Sequence, residues 1–201
     1  MNKRQFLKNT AALASIPVCT TAQALERLDR TPTLLTITGA ISRSNRGPFN
    51  PALDQLMHKQ QVTFDRAYVF DYAAITALPS VSIKPTIEYD GKRHELRGPA
   101  LSTVISETGA HASNGTKLLV RALDGYAVVI DMPTLQHYNF IVATHLDDLP
   151  LPLGGLGPLW VVYDADRHTD MAGKPLNQRF VLCPWGVYHI EVQARVKQGR
   201  T

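Results

Sequence analysis

Apolar and polar positions along this chain come in short runs, which suit strands better than long helices. Three apolar runs organise its second half: residues 118–123, 140–144 and 159–163. Asp124-Gly125 punctuates the first, and a loop dense in Pro and Gly, residues 149–158, precedes the last. Bounded apolar runs of this length predict buried strands. Residues 34–39 alternate, are rich in branched side chains and predict a first strand ending at Gly39. Residues 80–89 alternate as well, with Pro85 restricting them to an edge or a bulge. Asp90-Gly91 is a hairpin dipeptide, so residues 92–96 predict the return strand, stopped by Gly98-Pro99. Further strands are expected at 64–67, 127–130, 179–183 and 187–192. Asn50-Pro51 opens a short helix over 49–57. Residues 72–78 and 133–137 predict helical turns. Leu101, Val104 and Ile105 fall at helical spacing, with Gly109 as the stop. Residues 166–178 read as a charged loop. Many short strands with a few short helices predict an α+β fold with mixed β-sheets rather than regular βαβ units.

The first 24 residues predict something other than fold. Lys3, Arg4 and Lys8 come without an acid, residues 10–21 are mostly small and apolar, and Ala22-Gln23-Ala24 fits a small-x-small cleavage site. That order predicts an export signal cut after Ala24 and a periplasmic mature protein. Lys3-Arg4-Gln5-Phe6-Leu7-Lys8 resembles a twin-arginine signal with Lys at its first Arg, and the Sec route stays open beside it. The expected organisation is signal peptide 1–24, lead-in 25–33, one domain 34–192 and a basic tail 193–201.

Cleavage changes the electrostatic picture. The chain carries 21 bases and 17 acids over 201 residues. Removing three bases with the signal leaves a mature protein near +1, so the basic pI of 9.1 belongs largely to the signal. Neither nucleic acid nor a membrane surface is an expected partner. Of two cysteines, Cys19 leaves and Cys183 stays, which allows no internal disulfide. Cys183 sits in an apolar run and reads as a buried, inert thiol. Leu153-Gly154-Gly155-Leu156-Gly157 lacks the G-x-G-x-x-G spacing and a following helix. There is no P-loop, no G-x-S-x-G elbow and no H-E-x-x-H. His137 and His145 flank a predicted strand, but no third ligand at useful spacing accompanies them, so they predict surface or hydrogen-bonded histidines.

Five segments resemble a known family in the right order. Residues 95–105 (ELRGPALSTVI) are similar to an F-x-G-x-x-L-x-x-L-L segment, Ala122-Leu123-Asp124-Gly125-Tyr126 to A-L-N/D-D/G-Y, and Ile141-Val142-Ala143 to an I-L-A strand. Residues 157–163 (GPLWVVY) are similar to G-P-L-W/F-hydrophobic-Y-P, and residues 185–190 to a terminal W-x-L-x-x-I. Together they resemble the sulfite-oxidase-type molybdopterin-binding domain, in particular its small exported members, over residues 34–192. The resemblance implies a sulfite-oxidase-like molybdopterin-binding fold. One departure bears on function. Molybdenum enzymes of this superfamily supply a Cys thiolate from the first half of the domain, and residues 80–97 contain none. A soft thiolate is what such a metal wants. The expected cofactor is therefore a pterin, reduced or molybdopterin-like, without molybdenum. The expected role is a non-catalytic periplasmic pterin-binding protein that acts as ligand sensor for a membrane-bound signalling partner, a cyclase or a sensor kinase. The alternative is a subunit of a molybdopterin-dependent oxidoreductase. Nothing in the sequence specifies an oligomeric state.

A pterin is flat and aromatic, with an amino-amide edge that presents two donors in line. A carboxylate can take both, and an aromatic ring can stack on the face. The candidate carboxylates are Asp124, Asp166 and Asp131. The candidate stacking residues are Tyr126, Trp160, Tyr163 and Trp185. Arg121, Arg179 and Arg43 can meet a carbonyl oxygen or a phosphate. Asp124 also reads as plain turn chemistry before Gly125, and Tyr126, Trp160 and Trp185 also read as core.

Overall fold

The computed structural model describes residues 31–111 and 113–194, which lie in the compact unit Thr31–Thr201. The expected signal peptide, most of the expected lead-in and residues 195–201 of the expected tail lie outside the described residues. Among the described residues, no helix is long and apolar enough to cross a membrane.

Among the described residues, eleven strands and several short helices make the α+β architecture expected from the pattern. In chain order the strands are β1 (Thr33–Gly39), β2 (Tyr68–Asp71), β3 (Ser80–Ile83), β4 (Leu96–Pro99), β5 (Lys117–Ala122), β6 (Ala127–Asp131), β7 (Ile141–Ala143), β8 (His145–Leu146), β9 (Leu149–Pro150), β10 (Trp160–Val162) and β11 (Val187–Gln193). They form a five-stranded sheet in the order β2-β1-β11-β5-β6, a four-stranded sheet β3-β4-β8-β9 and a two-stranded ladder β10-β7. β11 is parallel to β1 and antiparallel to β5.

Register explains which residues are buried. Ile37 pairs with Ile190, Ile190 with Val120 and Val120 with Val128, so one row of apolar side chains crosses the large sheet. All four belong to a single core cluster. Each such side chain contributes roughly 1.5–3 kcal/mol when fully buried. The other two apolar runs pair directly with one another, Val161 opposite Val142. β10 and β7 are buried along their whole length, as uninterrupted apolar runs require.

Helices form where apolar spacing and caps agree. Leu101, Val104 and Ile105 are the buried face of the helix Leu101–Glu107, and Gly109, at φ +66°, follows its end. Asp131 caps the helix Met132–Tyr138 by accepting a hydrogen bond from Thr134 N at 2.9 Å, and left-handed Asn139 ends it. Asp131, weighed above as a pterin carboxylate, is thus a helix cap. The Thr134 contacts hold its carboxyl below the usual range.

Four expectations moved. Asn50 caps a turn, its side-chain oxygen accepting from the Ala52 and Leu53 amides, and the helix starts later at Gln55–Lys59. The strand expected at 64–67 lies at Tyr68–Asp71. The Asp90-Gly91 turn forms, with Gly91 at φ +68°, but the return strand is Leu96–Pro99 and includes the Gly98-Pro99 pair expected to stop it. Gly98 is there for proximity: a Cβ would overlap the Val142 carbonyl oxygen of the neighbouring ladder. Finally, residues 179–183 are not a strand. The helical turn Leu176–Arg179 runs into a bend closed by Cys183 N to Phe180 O at 2.8 Å, and Pro184 follows, lacking a ladder donor.

The centre of the large sheet holds an uncharged histidine. His189 is fully buried; its Nε2 lies 3.0 Å from Thr38 Oγ1 and its Nδ1 3.3 Å from an Arg121 nitrogen. Arginine only donates, so Nδ1 accepts, and Nε2 carries the proton that goes to Thr38. Burial, reinforced by the Arg121 charge, lowers the His189 pKa to about 3. The unfolded chain binds this proton near pH 6.5 and the folded one does not. Stability contributed by neutral His189 is therefore intact above pH 6.5 and lost as pH falls from there towards 3. The slope is up to about 1.4 kcal/mol per pH unit. Urea unfolding of the wild type and His189→Gln at pH 7, 6 and 5 should show the wild type losing stability more steeply on acidification. Parallel slopes would show that His189 is not the group responsible.

Candidate functional site

Two strand ends and two loops enclose a cavity of about 200 Å³. Its walls are Asp124 and Tyr126 from the β5–β6 hairpin, Glu88 and Tyr89 from the turn after β3, Asn177, Phe180 and Val181 from the last crossover, and Cys183 to Trp185 just before β11. The pairing of β5 with β11 assembles it. Leu123 N donates to Gly186 O at 3.0 Å, which holds Trp185 beside the hairpin. Gly125, at φ +91°, makes the hairpin turn that only glycine adopts freely.

Asp124 takes the turn role and also faces the cavity. Its Oδ1 accepts from Tyr126 N at 2.9 Å, the expected turn bond, while the carboxylate lines the cavity. Tyr126 spans the wall, its hydroxyl donating to Val181 O at 2.7 Å. Trp185 is 37% exposed, Tyr126 47% and Tyr89 55%, so all three rings keep surface available to a ligand. Burial, and then the neighbouring Glu88 carboxylate, push the Tyr89 hydroxyl up, and it remains a neutral donor. Among the described residues, no Arg, Lys or His lines this cavity. Two carboxylates with aromatic faces suit a flat ligand that presents hydrogen-bond donors along one edge. Larger cavities exist among the described residues, of about 320, 430 and 780 Å³; this one is chosen for its chemistry.

The other expected residues lie elsewhere. Trp160 and Tyr163 are each 1% exposed, in the core. Trp160 Nε1 donates to Cys183 O at 3.0 Å, and Tyr163 donates to Arg179 O, so neither offers an open face for stacking. Asp166 and Arg179 meet each other at 2.9 Å, but as a clamp. Asp166 also accepts from Thr86 N and Oγ1, and Arg179 donates to the Lys174 and Ala172 carbonyls. That network ties the turn after β3 to the loop after β10. Arg121 bonds Glu191 and His189 within the large sheet. Arg43 is exposed, pairs with Glu107 at 3.2 Å and lies over the Tyr68 ring. Sequence reasoning thus named Asp124, Tyr126 and Trp185 of the cavity and missed Glu88, Tyr89, Asn177 and Phe180. Glu88-Tyr89 beside a hairpin dipeptide repeats the acid–aromatic composition of Asp124–Tyr126, and that repetition was the available signal.

No family model matches the chain, and no curated protein matches it. Among solved structures it is similar to the sulfane dehydrogenase SoxCD from Paracoccus pantotrophus, with a TM-score of 0.51 and 14% identity. The similarity shows the fold. It covers 83% of this chain and 39% of that one, so this chain spans about two-fifths of its neighbour. The architecture agrees with the sulfite-oxidase-like α+β fold expected from the sequence.

The donor set does not fit a thiolate-bound molybdenum. Cys183 is the only cysteine among the described residues; it is 4% exposed, and burial pushes its thiol far above the usual range. A protonated, enclosed thiol is neither a soft metal ligand nor a nucleophile. Ellman's reagent should therefore leave the native protein's Cys183 unmodified over an hour and titrate it promptly in 6 M guanidinium. Rapid native reaction would contradict the inert assignment.

Proposed function

We propose that this protein binds a pterin without phosphate in the cavity between Trp185, Tyr126 and Tyr89, and that it does so as a non-catalytic periplasmic sensor module. The observation that carries the reading is the wall composition: three partly exposed aromatic rings with two carboxylates and, among the described residues, no cation. A pterin face stacks on the rings, and its amino-amide edge donates to Asp124 or Glu88. Among the described residues the wall is acidic and Arg121, Arg179 and Arg43 are engaged elsewhere, which disfavours the phosphate of a molybdopterin. The export-signal pattern supports a periplasmic location. A binding protein without a reactive thiol needs a partner to read its occupancy, and a membrane-bound cyclase or sensor kinase would fill that role.

Protein purified from the periplasm should release a fluorescent small molecule on denaturation and carry no stoichiometric molybdenum. Bound molybdenum would instead favour the oxidoreductase-subunit alternative, and release of nothing an empty scaffold. Trp185→Ala and Tyr126→Ala should each weaken pterin binding by roughly 1–3 kcal/mol, the range for stacking of a flat base on an aromatic side chain. Folded variants with unchanged affinity would remove those residues from the site.

A further inference from the structure

Three metal-ligating side chains converge away from the cavity just described. His137 lies in the last turn of the helix Met132–Tyr138, and His168 and Asp170 flank the start of the turn Thr169–Ala172. Their candidate ligand atoms all lie within 4.8 Å of one another, and His137 Nε2 is 3.9 Å from Asp170 Oδ1. Around a tetrahedral ion with bonds of about 2.0–2.1 Å, ligand atoms sit about 3.4 Å apart. The His137 and Asp170 side chains are 61% and 50% exposed, so small rotamer changes close the remaining gap.

One side chain positions all three. The Tyr138 ring stacks on buried Tyr163, centroids 4.5 Å apart. It meets the His137 ring edge-on at 4.6 Å and the His168 ring edge-on at 4.9 Å. Its hydroxyl donates to Asp170 Oδ2, which leaves Oδ1 directed towards His137. Such outer partners fix first ligands in orientation at metal centres. His168 also belongs to the wall of the 430 Å³ cavity. That cavity holds Asp164, 7% exposed, whose Oδ1 has no hydrogen-bond partner among the described residues. An unpaired buried carboxylate oxygen is costly unless something with a donor or a charge meets it.

We infer that His137, His168 and Asp170 bind one divalent transition-metal ion of the zinc class, with Tyr138 as the positioning residue and a fourth coordination position left to water or a ligand. Two imidazoles and one carboxylate suit zinc, cobalt or nickel and lack the sulfur a softer ion prefers. This site is separate from the pterin cavity and does not depend on that reading.

The full chain, without an affinity tag and stripped by chelator, is titrated with zinc chloride by calorimetry and with cobalt by visible absorption. One equivalent should bind. His137→Ala and Asp170→Asn, both at exposed positions where folding is undisturbed, should each weaken binding at least about tenfold, and Tyr138→Phe, which keeps the ring, should weaken it about 10–100-fold. Cobalt should give the visible bands of a low-coordinate nitrogen–oxygen site, lost in His137→Ala. Absence of one-equivalent binding, or equal affinity in the wild type and the first two variants, would overturn the assignment. Full affinity in Tyr138→Phe would overturn the role given to Tyr138.

Discussion

The pairing of β5 with β11 is the constraint on which the rest of the structure depends. The last described strand enters between β1 and β5 rather than adding to an edge, so the large sheet is complete only when the first and last described strands meet. That insertion aligns the apolar row from Ile37 to Val128, buries His189 against Thr38 and Arg121, and brings Trp185 beside the Asp124-Gly125 turn. Core and candidate site thus share one cause. A neutral histidine at the sheet centre is the cost of the arrangement, since a charged one there would lack a carboxylate close enough to offset its desolvation.

The site is built from turns rather than strands. Aromatic rings in or directly after buried β10, Trp160 and Tyr163, become core because β10 is covered along its length. Rings that follow a turn or precede a strand, such as Tyr89, Tyr126 and Trp185, keep one surface open. The arginines are likewise drawn into structure: Arg121 bonds a partly exposed glutamate and a buried histidine, and Arg179 closes the loop after β10. What remains in the cavity is an acid–aromatic wall. That difference in position explains why residues of equal chemical promise separate into scaffold and site.

Much of the fold was legible in the sequence because its signals were local. The alternation of residues 34–39, the Asp-Gly turns, and Pro133 followed by Leu135 each dictate structure within a few residues. The strand expected at 179–183 failed because its apolar residues are buried by a crossover bend, and periodicity does not distinguish a buried bend from a short buried strand. Gly98 looked like a stop, because nothing local reveals that Val142 passes against it. At the site, Asp124, Tyr126 and Trp185 were readable through the resemblance of their segments to a known family. Glu88 and Tyr89 were not, since only the tertiary fold carries their turn to the other side of the cavity. His137 was considered with His145, eight residues away, whereas its neighbours are His168 and Asp170, more than thirty residues on. His145 instead bonds Tyr72 and Thr144.

The two tryptophans of the chain offer the most direct test, because the account places one in the core and one on the cavity wall. In a nitrogen-15-labelled sample, the two indole N–H signals are assigned with Trp160→Phe and Trp185→Phe variants, and a phosphate-free pterin is titrated in. The account predicts a saturable shift of the Trp185 signal, with the Trp160 signal moving far less. A Trp185 signal that stays fixed while the pterin binds, or no binding at all, would contradict it.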